Sequence, residues 1–412
     1  MAGRPFQQHD LTTITGEPVR IIKPGMLNRD TGPDFSGALI KVGNILWAGN
    51  VELHLQTSGW RKHRHHKDPN YNNVVLHVVF EQDTPPEKLP SIPCIELQDR
   101  IPKFLLHRYA RLMRDQAFVP CAGLARQASP LIWQGWKERM LAERWEAKAG
   151  VFREWLEQTR YNWEEVCYRA VAQGLGMPVN ATPFLQLANI TPHLLLAKHK
   201  PHLFQLEALL FGQAGLLAGD MPDAYSRKLA QEYAFQRHKY KLQPMAGHLW
   251  KFLRMRPGSF PTLRIATLAA LVHHTHHLFS RLLEAGTPEE MTQLFTVQVS
   301  PYWQQHYRFG KSMDKPGGIG AVTIRNLLVN TVCPLLHLYA QHNQVPHLHM
   351  RALRLIETLE AEDNATTRGW EEIGVGCNNA IDSQALLQLK RYYCDQKRCL
   401  DCAVGAHLLG KA

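Results

Sequence analysis

The sequence predicts an α+β chain. A small β-rich domain is expected over residues 1–100 and a large α-helical domain over residues 101–412. Three observations carry this. Up to about residue 100 the chain alternates apolar with polar residues, is rich in β-branched types, and breaks at Gly, Pro and Asn. From Ile101 onward apolar residues recur at helical spacing instead. The length of 412 residues, 45% of them hydrophobic, suffices to bury two cores.

The elements follow in order. Thr12-Thr13-Ile14 and Val19-Arg20-Ile21-Ile22 flank Gly16 and read as a first hairpin. Two further strands meet at Gly43-Asn44, a hairpin turn that brings Asp34 and Glu52 together. Val74 to Phe80 is an apolar, β-branched run carrying one histidine, His77, and reads as a buried strand. Pro85, Pro86, Pro90 and Pro93 loosen the chain before a short strand at Cys94-Ile95-Glu96-Leu97. In the helical half, Leu131 to Leu156 is one long amphipathic stretch with Trp133, Trp136, Trp145 and Trp155. Further helices are expected over 162–174, 183–190, 192–217, 222–240, 261–284, 321–342, 346–361 and 380–393. No repeat period is visible.

Charge is unevenly placed. The first hundred residues hold 11 basic and 11 acidic side chains, so the whole formal excess of +11 lies beyond them. A basic body beside an acidic site suits a phosphate-backbone ligand. No apolar run reaches the roughly 18 residues of a membrane span, and Met1 to Gln8 lack the apolar core of a signal peptide. A cytoplasmic protein with no membrane partner is therefore expected. Eight scattered cysteines do not read as a disulfide framework.

The candidate catalytic residues are Asp34, Glu52 and His54. Glu52 and His54 are two apart on a strand, so both side chains leave one face. A hard dication such as Mg2+ or Mn2+ takes carboxylate oxygens, and Asp34 with Glu52 offers them. It would polarise a phosphate and activate water, with His54 as base or charge stabiliser. The loop from Ser58 to Asn73 is dense in polar and ring side chains. Its His63, His65, Asp68 and Tyr71, with His77 on the next strand, are expected either to support those ligands from behind or to form an alternative metal site.

The segment Gly32-Pro33-Asp34-Phe35, followed by Glu52-Leu53-His54, resembles the PD-(D/E)XK nuclease superfamily, with His54 where lysine usually stands. That resemblance implies a nuclease-like fold for the first domain and cleavage of nucleic acid. A longer set of residues is similar to a bacterial family of proteins of unknown function, DUF2851. It comprises Gly25 to Phe35, Trp47 to His54, Trp60, His63, His65, Asp68, Tyr71 and Asn73 to Val79, with Ser383 to Lys390 and Tyr393 to Cys402 near the end. This second resemblance implies no activity.

Two features of the helical half complete the candidates. Trp250 to Pro261 mixes aromatic and basic residues, and its Lys251, Arg254 and Arg256 are candidate nucleic-acid contacts. Cys394-x4-Cys399-x2-Cys402, with Cys377 upstream, has the close thiol spacing that Zn2+ or an iron–sulfur cluster uses. Gly317-Gly318-Ile319-Gly320 lacks the P-loop lysine and reads as a flexible helix entry.

Three functions are compatible with these residues. The first is a metal-dependent nuclease. The second is a non-catalytic nucleic-acid-binding protein on a decayed nuclease fold. The third is a hydrolase of a small phosphorylated substrate with zinc or iron at His63, His65 and Asp68. Nucleic acid is the expected partner, and no protein partner is indicated.

Overall fold

The computed structural model describes residues 10–28, 30–314 and 317–410. The start of the chain and Arg29 of the Gly25–Phe35 segment lie outside the described residues. The chain forms two units, residues 1–128 with 397–412, and residues 129–396. The α+β reading holds, with a sheet near the start and a large helical part after it.

The first unit is built on β1 (Val19–Lys23), β2 (Met26–Leu27), β3 (Phe35–Val42), β4 (Ile45–Gln56), β5 (Val74–Glu81) and β6 (Cys94–Glu96). Their spatial order is β1-β3-β4-β5-β6, with β2 also on β3. Thr12 and Pro18 make only an isolated bridge, and β1 pairs with β3 rather than completing a hairpin across Gly16. The β3–β4 hairpin is antiparallel, with Val42 opposite Ile45. Gly43 has φ +54°, a torsion that a residue with a β-carbon adopts only under strain. β4, β5 and β6 run parallel. A parallel pair needs a crossover, and residues 57–73 supply it as three short turns at Gly59–Lys62, His65–Lys67 and Pro69–Tyr71. The core beneath the sheet is Leu11, Val19, Ala38, Ile40, Val42, Val51, Val75, Leu76 and Ile95. Ala38, Ile40 and Val42 show why β3 seats there, since alternate residues of a strand share a face.

The helix Lys103–Arg114, the 3-10 segment Ala122–Gln127 and the last helix Ala403–Gly410 complete this unit.

The second unit opens on the 29-residue helix Pro130–Gln158, with proline in its first turn where no N–H is needed. Its core gathers Trp145, Phe184, Phe211, Phe295 and Trp303, all at most 2% exposed. Two expected helices are each divided. The 192–217 stretch splits into His193–Ala197 and Leu203–Gln213, with Pro201 in the gap. Proline lacks the N–H that a continuous helix needs there. The 261–284 stretch splits into Pro261–His274 and Leu278–Glu284, where His277 turns to φ +48°.

The helix Ala321–His342 is long and apolar enough by composition to cross a membrane, but 61% of its apolar window is buried inside the protein. It contains a π turn over Leu328–Val332, just before Pro334. Proline cannot donate to the carbonyl four residues back, which is that of Asn330. Lys148 Nζ takes that carbonyl at 2.9 Å and the Asn330 side chain at 2.8 Å. A half-buried lysine thus occupies the acceptor the proline leaves open.

Candidate metal centre on the first unit

Sheet register places the acidic and imidazole side chains. Phe35 of β3 lies opposite Val51, so Asp34 falls beside Glu52. On the other side Glu52 pairs with His77, and His77 with Cys94. Partners in register project to one face. Glu52, His77 and Cys94 therefore form one rung across β4, β5 and β6, and His54 stands one alternation along from Glu52.

Asp34 and Glu52 brace each other. The Asp34 N–H donates to Glu52 Oε2 at 3.2 Å, and the Leu53 N–H donates to Asp34 Oδ2 at 2.8 Å. The Gly32-Pro33-Asp34 turn is held by Asn28, whose side-chain amide donates to the Thr31 and Pro33 carbonyls. Burial, and then the Asp34 charge, raise the Glu52 carboxyl to about 7.

The crossover loop brings in two more rings. His54 Nε2 lies 3.2 Å from His63 Nδ1, and His65 Nε2 lies 3.3 Å from Glu52 Oε1. His54 Nε2 is also 3.8 Å from Glu52 Oε1. One ring nitrogen of each of His54, His63 and His65 falls within 4.8 Å of the others. A tetrahedral ion with bonds of roughly 2.0–2.1 Å to N and O has ligand–ligand edges of about 3.3 Å. The contacts at 3.2 and 3.3 Å match such edges.

The ring orientations fit ligation. His54 Nδ1 is 2.9 Å from His77 Nε2, and His77 Nδ1 faces Cys94 Sγ at 3.8 Å. For His54 Nε2 to present a lone pair, its Nδ1 carries the proton and donates it to His77 Nε2. His77 Nδ1–H then points at the sulfur, so one tautomer chain serves the whole row. His77 is fully buried. Burial, reinforced by neighbouring imidazoles, lowers both His54 and His77 to about 4. These rings are neutral at pH 7, the state a metal ligand needs. His65 is lowered too, first by burial and then by His63.

Packing fixes the rings. Tyr71 stacks on His65 with centroids 3.8 Å apart. Buried Trp60 meets His65, Tyr71 and His77. Gly59 makes room for the His54 ring, since a β-carbon there would lie 2.5 Å from His54 Cδ2. Asp83 anchors the start of the loop by accepting from the Ser58 N–H, the Ser58 hydroxyl and the Thr57 hydroxyl. Those bonds, Ser58's foremost, hold its carboxyl far below the usual range.

These residues fit a metal ion on one further observation. His65 Nε2 is buried without a hydrogen-bond partner, although it lies 3.3 Å from a carboxylate oxygen. A buried lone pair left unused is costly, and a cation between the imidazoles and Glu52 would use it. Three imidazoles and one carboxylate suit a transition-metal dication better than Mg2+.

Of the other expected site residues, Asp68 accepts the Asn70 N–H at 3.0 Å and opens the turn carrying Tyr71. Lys251, Arg254 and Arg256 are exposed on a loop of the second unit. Trp250 beside them is buried, donating to the Ala214 carbonyl, and the Lys251 backbone is held by the Asn180 side chain. Cys377 lies in the second unit, its thiol raised to about 11 by burial and then by Asp382. Cys394 is half-buried at the end of a π turn, and Cys399 and Cys402 are buried in the first unit. Sequence reasoning missed Gly59 and Asp83. Gly59 carried a signal, since a glycine between polar and aromatic residues marks a close approach. Asp83 carried none, because its partners lie 25 residues back.

The fold and the site define a chain with a cluster of histidines beside a buried glutamate on a mixed sheet. It belongs to the family of proteins of unknown function DUF2851, which matches residues 2–365. No curated protein and no solved structure matches it.

Proposed function

We propose that the first unit is a metal-dependent hydrolase of phosphate esters. The observation that carries this is the convergence of His54, His63 and His65, with Glu52 beside His54 and His65 and the His65 nitrogen buried and unpartnered. A dication at these atoms would polarise a phosphoryl oxygen and lower the pKa of an attacking water. The protein's own groups supply the rest. His77 and Cys94 hold the His54 tautomer. Glu52, raised to about 7 without an ion, would give up its proton to solvent on binding and serve as a carboxylate ligand. His63 is exposed and opens the centre to solvent. Arg61, Lys62, Arg64 and Lys67, all exposed on the same loop, draw an anionic substrate toward it.

The nucleic-acid form of this reading is favoured by Asp34, Glu52 and His54 lying together as in the triad that resembles PD-(D/E)XK. The test is calorimetry with Zn2+, Mn2+ and Mg2+, followed by hydrolysis of bis(p-nitrophenyl) phosphate, a phosphomonoester, DNA and RNA. We expect Zn2+ or Mn2+ to bind more tightly than Mg2+, and His65→Ala and Glu52→Gln to lose both binding and turnover. Wild-type protein that binds no ion ends the proposal. A bound ion without turnover of any ester leaves the non-catalytic reading in its place.

A further inference from the structure

The turn before the last helix of the first unit carries a second cluster, in which sequence spacing shows Cys399 and Cys402 but not Cys121. Cys399 and Cys402 bracket the turn that opens the helix Ala403–Gly410. The Gly405 N–H donates to Cys402 Sγ at 3.5 Å. Gly405 lies so close to the Cys399 carbonyl that a β-carbon there would be 2.3 Å from its oxygen. The Cys-x2-Cys turn is therefore folded tightly onto the first turn of the helix. That helix packs on the 3-10 segment Ala122–Gln127, and Cys121 is the residue that caps the segment. The fold thus returns Cys121 to a turn almost three hundred residues later. All three side chains are buried, at 7–8% exposure.

The electrostatics of these thiols are those of a like-charge cluster. Burial, and then charge on Cys402 and Cys399, together raise Cys121 to about 12. Burial, and then Cys402, together raise Cys399 to about 11. The thiols resist ionising together in a dry site. A dication reverses this, since a coordinating thiol loses its proton to the metal's field. Cys377, in the second unit, is influenced by Asp382, Glu371 and Lys137.

We propose that Cys121, Cys399 and Cys402 bind one zinc ion as thiolates, a structural site that ties the last helix to the Cys121 turn. Each S–H gives its proton to solvent as the Zn–S bond forms, so no oxidant or reductant is needed. Closely spaced thiolates with backbone N–H support are what zinc selects. This site is independent of the histidine centre, and its reading does not rest on the hydrolase proposal.

The test uses full-length protein purified without chelators or oxygen, with metals measured by mass spectrometry. Cobalt replacement supplies the decisive readout, because a thiolate-to-cobalt charge-transfer band reports sulfur ligation and is silent for imidazole sites. We expect that band in wild type and in His65→Ala. We expect its loss, with one equivalent of zinc, in Cys121→Ser and Cys402→Ser, and its retention in Cys377→Ser. Should Cys121→Ser fail to fold, chelator treatment of wild type decides. Zinc release should then expose at least three newly reactive thiols. A wild type without the band, a full band in Cys121→Ser, chelation that exposes no thiol, or a brown protein with iron and sulfide would each overturn the zinc site.

Discussion

His54 Nδ1 lies 2.9 Å from His77 Nε2, a bond between two imidazoles on adjacent parallel strands, both lowered to about 4. Neutral rings bonded this way have one donor and one acceptor each, so fixing one tautomer fixes the other. His77 is thereby a positioning residue for the Nε2 lone pair of His54, and four expectations follow from the surrounding geometry.

His77→Gln should keep the fold and weaken metal binding. Glutamine offers a donor and an acceptor but cannot reproduce the ring's placement. Loss of such an outer partner typically costs about 10–100-fold in metal affinity. Calorimetry with Zn2+ measures it, and wild-type affinity in this variant would remove His77 from the site.

Metal binding should strengthen as pH rises to about 7 and then level off. Below that value Glu52 holds a proton that the ion must displace. Below about 4 His54 and His77 also charge, and binding should vanish. Calorimetry in buffers of different ionisation heat should count about one proton released per ion near pH 6, falling toward zero above pH 8. A release that does not change between those conditions contradicts the assignment. In metal-free protein the same groups act in opposite directions. Glu52, raised in the fold, loses stabilisation as pH rises from 4.5 to about 7. The two histidines, lowered in the fold, lose theirs as pH falls from 6.5 to about 4.

Asp34→Asn should move the Glu52 midpoint downward. The Asp34 charge is the second cause of the raised Glu52 value, after burial. Asparagine can still accept the Leu53 N–H through its carbonyl oxygen, so the hairpin should remain. The readout is the pH midpoint of metal binding, followed alongside the melting temperature. An unchanged midpoint with an unchanged melting temperature would mean that the two acids do not communicate.

Gly59→Ala should displace His54. The new methyl would meet the ring at 2.5 Å, well inside contact distance. Overpacking of this kind typically costs about 1–3 kcal/mol. We expect a lower melting temperature and a larger loss of metal affinity than in Gly123→Ala, where a β-carbon meets nothing within 4 Å. Equal behaviour of the two variants would show that the loop gives way freely.

Much of this site is legible in the residues. Asp34, Glu52 and His54 announce themselves because a two-residue turn at Gly43-Asn44 fixes hairpin register locally, and alternation then assigns faces. His63 and His65 stand out as a cluster of ring residues in one loop. The geometry changes the emphasis within that set. Spacing points to the two acids as ligands, yet Asp34 serves the Leu53 amide while His54, His63 and His65 converge, two of them beside Glu52. Asp68, read as a third ligand beside His63 and His65, accepts a backbone amide in its own turn.

The sequence by itself determined the β-rich start, the β3–β4 hairpin, the helical remainder and the stock of ligating side chains. Each of these depends on contacts a few residues apart, where periodicity and turn chemistry act directly. The tertiary structure alone decided the partners. The parallel register of β4, β5 and β6 sets Glu52, His77 and Cys94 in one rung, and packing of the last helix on the Ala122–Gln127 segment brings Cys121 to Cys399 and Cys402. Such pairings join distant parts of the chain through burial of apolar surface, which is non-directional. A linear sequence carries that driving force as composition, and only packing converts it into specific neighbours.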